Sequence, residues 1–137
     1  MRKRVLVFGL WLAGILFPAA WLGRYSAAYR GIFNWLFRPE WMHIAMHLLL
    51  YAVLGILLAR GFKDRPARQA LLLGAACALA VGAAQETLQW TSQGIAPWRA
   101  AALPASLFDV GIDLTGVLAG MGSVRLWDQL PANSRPS

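Results

Sequence analysis

The spacing of the apolar residues constrains this chain more than anything else in it. They gather into four long runs, Val5 to Leu22, Trp41 to Ala59, Gln69 to Trp90 and Leu107 to Val124. A helix needs roughly 18 or more predominantly apolar residues to cross the hydrocarbon of a bilayer. At about 1.5 Å of rise per residue the second run reaches about 28 Å, close to the hydrocarbon thickness. Four such spans nearly exhaust 137 residues. The expected fold class is therefore all-α, an integral membrane four-helix bundle in one domain over residues 1–127. A disordered, polar tail is expected over residues 128–137, which hold two prolines. The overall mean hydropathy of +0.51 agrees. No internal repeat is visible.

The net charge of +7 does not point to nucleic acid, because of where it lies. Arg2, Lys3 and Arg4 precede the first run, Arg60, Lys63, Arg65 and Arg68 separate the second from the third, and Arg125 and Arg135 follow the fourth. With both termini cytoplasmic, nine of the thirteen basic residues fall inside, leaving Arg24, Arg30, Arg38 and Arg99 outside. That is the positive-inside pattern, and it accounts for the charge without a polyanionic partner. The expected location is the cell's inner (plasma) membrane, with several passes. The N-terminal "MRKR" and apolar run also resemble a signal peptide, with Ser26 to Ala28 as a small-residue cleavage site. The run to Leu22 is longer than a usual signal core, so a retained span is expected. Cys77, the single cysteine, has no internal partner and reads as a small packing residue.

Between the spans, residues 24–40 interleave arginines with Tyr25, Tyr29, Phe33, Trp35 and Phe37, a mixture suited to the headgroup layer. Pro18 is placed to kink or end the first span. The loop around Pro97, Trp98 and Pro104 is expected to be partly non-helical. Small residues recur at helical spacing: Gly116 and Gly120 in the fourth run, and Gly74, Ala78 and Gly82 in the third. Such rows let helix backbones approach closely in lipid, so both runs are expected to pack against a neighbour, in this chain or in a second copy.

The polar residues of the spans crowd at one depth. His43, His47 and Tyr51 are four apart and share a face of the second span, in its outer half. Gln85, Glu86 and Gln89 occupy the last turns of the third span, with Glu86 and Gln89 on one face. Asp109 and Asp113 sit in the outer half of the fourth, on the side that Gly116 and Gly120 continue. A charged side chain at a helix centre costs roughly 2.5 to 3.5 kcal/mol on insertion scales. Three carboxylates therefore belong in the bundle interior, in a water-filled cleft or beside a cation, and Arg99 in the outer loop is the nearest cationic candidate. Interhelical hydrogen bonding alone, with His47, Glu86 and Asp113 as polar glue, is the plainer account. A metal held by His43, His47, Glu86 and Asp109 is conceivable. "HIAMH" lacks the Glu of H-E-x-x-H, however, and without a clear third ligand no metal or other cofactor is assigned. Ser106, at the mouth of the fourth span, reads as an N-cap.

The ordered set His47-x3-Tyr51, Glu86-x2-Gln89, Arg99 and Ser106-x2-Asp109-x3-Asp113-x2-Gly116-x3-Gly120 resembles the VanZ-like membrane proteins of bacteria, over about residues 40 to 122. It departs from their pattern in three places. His43-Ile44 stands where an Asp-Lys pair is usual, Asp113 stands at an Asn position, and the Gln89-to-Arg99 spacing is longer. The resemblance implies a cell-envelope role and a link to resistance to the glycopeptide teicoplanin. It also implies a polar site of His47, Glu86, Gln89, Arg99, Asp109 and Asp113, to which the candidate site as a whole adds Tyr51 and Ser106.

The function expected from both readings is handling of an envelope lipid or a lipid-linked headgroup in an outward-facing cleft. Glu86 and Asp109 would be proton acceptors or hydrogen-bond anchors, Arg99 a phosphate or carboxylate clamp, and His47 a polar partner. Membrane lipids and a lipid-linked envelope intermediate are the expected partners. The alternative is a non-catalytic scaffold or accessory subunit of a membrane complex. A proton- or ion-coupled transporter is disfavoured, because the inner half of the bundle offers almost no polar path.

Overall fold

The computed structural model describes residues 2–17, 19–92, 94 and 103–130. It contains α1 (Arg2–Leu16), a 3-10 segment (Ala19–Arg24), α2 (Ala27–Leu36), α3 (Glu40–Gly61), α4 (Ala67–Ser92) and α5 (Leu103–Gln129). No strand occurs among the described residues. Helices α3, α4 and α5, of 22, 26 and 27 residues, are long and apolar enough to cross a membrane, which marks the chain as a membrane protein.

The first apolar run is divided. Its α-helix is 15 residues long, about 22 Å at helical rise, and stops at Leu16 before the 3-10 segment begins at Ala19. Proline lacks the amide hydrogen a helix needs and disfavours helical backbone in the residue before it, so a break next to position 18 follows from the sequence. At the other end, α5 begins at Leu103, ahead of the expected Leu107, with Pro104 in the first turn where its missing N–H is not needed. It runs on through Asp128 and Gln129, which had been expected in the tail. Residues 131–137, and the loop bearing Pro97, Trp98 and Arg99, lie outside the described residues. Helix α4 is followed by Gly94, whose φ of 73° is available to glycine at little cost, and its amide donates to the Thr91 carbonyl at 3.1 Å.

The packing inverts the soluble pattern. Leu72 and Leu107 are 61% and 68% exposed, whereas Asp113 is 1% and His47 4% exposed. Many large apolar side chains face outward, and small and polar groups share the helix interfaces with a few large apolar ones. Helices α3 and α5 form the closest pair, α4 packs on α5, and α1 rests more lightly on α3 and α4. The small residues explain the closeness. A Cβ at Gly120 would overlap the Ala52 backbone carbonyl, and one at Gly55 would overlap the Val117 carbonyl. A Cβ at Gly116 would stand 2.8 Å from the Leu48 carbonyl oxygen. On α4, Gly74 receives the Met121 side chain and Gly82 faces Val110 and the Asp113 carboxylate, so the third and fourth apolar runs find their expected neighbours within the chain. Tyr51, Leu54, Val117 and Met121 fill the space left between the backbones.

Helix α1 is tied in by the Trp11 indole, which donates to the Leu50 carbonyl at 3.0 Å, and by buried Ile15. Helix α2 is capped by the Ser26 hydroxyl, which accepts from the Tyr29 amide at 3.2 Å, and it buries no residue. It packs against the 3-10 segment, and Tyr29, Phe33 and Phe37 stack along one side with centroids 5.8 and 4.5 Å apart. At the opposite end of the bundle, Arg125 of α5 donates to the Ala67 carbonyl at 2.8 Å. That bond joins the end of α5 to the start of α4, beside the basic turn after α3.

Candidate functional site

The two histidines of α3 and the two aspartates of α5 meet as rungs. His43 Nε2 lies 3.3 Å from Asp109 Oδ2, and His47 Nδ1 lies 2.8 Å from Asp113 Oδ1. Both rungs join residues 66 apart in sequence. Residues four apart on one helix thus pair with residues four apart on the other, in the same order, so α3 and α5 run parallel and in register. Each pattern follows from helical periodicity. The glycine contacts below bring the two faces together, since Gly116 and Gly120 admit the α3 backbone one and two turns past Asp113.

The two rungs differ in environment. His47 and Asp113 are sealed, with side chains 5% and 1% exposed, while His43 and Asp109 are open at 40% and 15%. The His43 and His47 rings lie 4.5 Å apart between centroids. His47 is nearly coplanar in orientation with Tyr51, at 2° and 6.4 Å. The Tyr51 hydroxyl extends the ladder to α4 by donating to Gln85 Oε1 at 2.8 Å. Gly82 makes room there: a Cβ at that position would stand 3.0 Å from Asp113 Oδ2 and 3.7 Å from the Tyr51 hydroxyl.

A second polar pair links α4 to α5. The Ser106 hydroxyl donates to Glu86 Oε2, and both residues are buried. Ser106 is therefore not the N-cap expected from its position: α5 has begun three residues earlier, at Leu103, and the hydroxyl is turned across to α4. Glu86 Oε1 is buried with no hydrogen-bond partner among the described residues. A buried carboxylate oxygen left this way costs on the order of 1–3 kcal/mol or more, so it stands out against its satisfied neighbours. Glu86 and Ser106 line a cavity of about 190 Å³ whose other walls include Trp90, Leu103, Leu107 and Val110. Leu107 also borders a larger apolar groove of about 510 Å³ with Leu48, Phe108 and Ile112.

Of the residues expected at the site, His47, Tyr51, Glu86, Ser106, Asp109 and Asp113 come together at this end of the bundle. Gln89 is half-buried one turn beyond Glu86, and its backbone carbonyl accepts from Ser92 Oγ at 2.8 Å. No side-chain hydrogen bond joins it to the ladder among the described residues. Arg99 lies outside the described residues. Two participants lay outside the expected site: His43, weighed only as a face-sharing histidine and a metal ligand, and Gln85, placed only by its depth in the third span. The signal for Gln85 was present, since the small-residue row Gly74, Ala78, Gly82 continues onto it at helical spacing. No protein-family model, curated protein or solved structure matches the chain.

Proposed function

We propose that the protein handles an envelope lipid or a lipid-linked headgroup in a bacterial plasma membrane. In this reading the ladder end of the bundle faces outward, and both termini lie in the cytoplasm. The observation that carries it is Glu86 Oε1, a buried acceptor without a donor among the described residues, beside the cavity it lines with Ser106. Ser106 holds the other oxygen, so the free one is aimed by a fixed carboxylate and suits a hydroxyl or ammonium donor on a headgroup. The adjoining apolar groove between Leu48, Leu107 and Phe108 offers room for an acyl chain. The likeness of this residue order to the VanZ-like proteins supports an envelope role, and teicoplanin resistance is a phenotype to test.

The orientation rests on charge. Arg60, Lys63, Arg65, Arg68 and Arg125 gather at the end away from the ladder, as expected of a cytoplasmic face. A fourth crossing by α1 with the 3-10 segment is supported by two contacts. Trp11 meets α3 midway along, and Arg24 donates to the Ser92 carbonyl at the ladder end.

Native mass spectrometry of the wild type, Glu86→Gln and Ser106→Ala in mild detergent tests the reading. A lipid retained by the wild type and lost by both variants, at unchanged thermal stability, is the expected result. Equal retention in all three, or no selective retention by the wild type, overturns it.

A further inference from the structure

The geometry points to a divalent transition-metal site of the zinc class on His43, His47 and Asp109, with Asp113 as the carboxylate that orients His47. One donor atom from each of the three residues lies within 4.8 Å of the others. This inference does not depend on the lipid reading.

Three features favour an ion over simple hydrogen bonding. The first is the tautomer. Asp113 Oδ1 sits 2.8 Å from His47 Nδ1; when that carboxylate is ionised it can only accept, so Nδ1 donates, and a neutral ring then keeps its Nε2 lone pair for another partner. A buried carboxylate holding the far nitrogen of an imidazole is the usual support of a metal-bound histidine. The second is the open rung. His43 Nε2 and Asp109 Oδ2 are 3.3 Å apart, long for a charge-assisted hydrogen bond, which runs about 2.7 to 2.9 Å. Two ligands at about 2.0 to 2.1 Å from a tetrahedral ion would stand roughly 3.3 Å apart. The third is access. The His43 side chain is 40% exposed and Asp109 15%, so an ion can enter and the exposed ring can turn to complete the set.

Two histidines and one carboxylate leave a coordination position open, the arrangement of sites that bind water or a substrate oxygen rather than purely structural ones. A phosphate oxygen is the kind of ligand such a position takes. The third ligand that the "HIAMH" spacing lacks comes from α5, through the parallel register of the two helices.

The test uses the full chain in detergent, stripped with a chelator and loaded with Co²⁺ or Zn²⁺. Metal content and the visible absorption of Co²⁺ are the readouts. One equivalent per chain is expected, with the intense absorption of four- or five-coordinate Co²⁺. His43→Gln and Asp109→Asn should each weaken binding at least 10-fold. Asp113→Asn should weaken it by about 10-fold, the low end for loss of an orienting carboxylate. Binding below one equivalent in the wild type, or affinity unchanged by both His43→Gln and Asp109→Asn, overturns the site. The melting temperature of each metal-free variant is measured alongside. Should His43→Gln fail to fold, Asp109→Asn and the wild-type Co²⁺ spectrum decide.

Discussion

Asp113 and His47 are almost fully enclosed, with side chains 1% and 5% exposed, and their bond is the shorter of the two rungs at 2.8 Å. In a water-soluble protein, removing one member of such a buried pair typically costs about 3 to 5 kcal/mol. In a membrane the unfolded helices also find polar partners, and measured interhelical couplings average about 0.6 kcal/mol with a maximum near 1.7. The second regime applies to a pair joining two apolar, membrane-length helices. An alanine double-mutant cycle on His47 and Asp113, read by unfolding in mixed detergent, should therefore give a coupling of about 0.6 to 1.7 kcal/mol. A coupling near 4 kcal/mol would show that the pair behaves as a dry ion pair in a soluble core. Each single variant should still lose more than the coupling, because truncation also opens a void around a fully buried side chain.

Between elements, the decisive contacts are backbone against backbone. Gly120 of α5 lies on the Ala52 carbonyl, and Gly55 of α3 lies on the Val117 carbonyl. A methyl group at either place can be accommodated only by moving the helices apart, which would also lengthen the histidine–aspartate rungs two turns away. Gly120→Ala is accordingly expected to lower the melting temperature sharply and to abolish Co²⁺ binding. Gly111, on the same helix, has nothing within 4 Å of an added Cβ. Gly111→Ala should be neutral or stabilising by up to about 1 kcal/mol, through the helix propensity of alanine. Equal melting temperatures for the two variants would show that the α3–α5 approach is not set by its glycines. The same comparison explains why α1 is the looser element. Among the described residues it offers one buried side chain, Ile15, and one interhelical hydrogen bond, from Trp11.

For the molecule as a whole, the two ends of the bundle carry opposite chemistry. The ladder, Glu86 and Ser106 lie where α3 and α5 begin and α4 ends. The basic turn after α3 and Arg125 lie at the other end. Charge asymmetry of this kind sets orientation during insertion. The check is to replace Cys77 by alanine and place single cysteines at exposed positions of either end, Glu40→Cys and Lys63→Cys. In intact cells a membrane-impermeant maleimide should label the cysteine at 40 and leave the one at 63 unlabelled until the membrane is opened. The reverse pattern would invert the proposed orientation and place the ladder in the cytoplasm.

Much of this was legible without coordinates. Run length and the 3.6-residue period are local properties, so the long apolar helices, the shared faces of His43, His47 and Tyr51 and of Asp109 and Asp113, and the small-residue rows all follow from spacing alone. The break beside Pro18 is equally local. Pairing is different in kind. Two faces with residues four apart can meet in several registers, parallel or antiparallel, at similar local cost. The 66-residue offset of the rungs arises only once Gly116 and Gly120 seat on the α3 backbone. Ser106 was misjudged as a cap for the same reason, because its partner Glu86 belongs to another helix. Which carboxylate oxygen finds a partner among the described residues and which does not, as at Glu86, depends on distances between helices, and no one-dimensional pattern carries those.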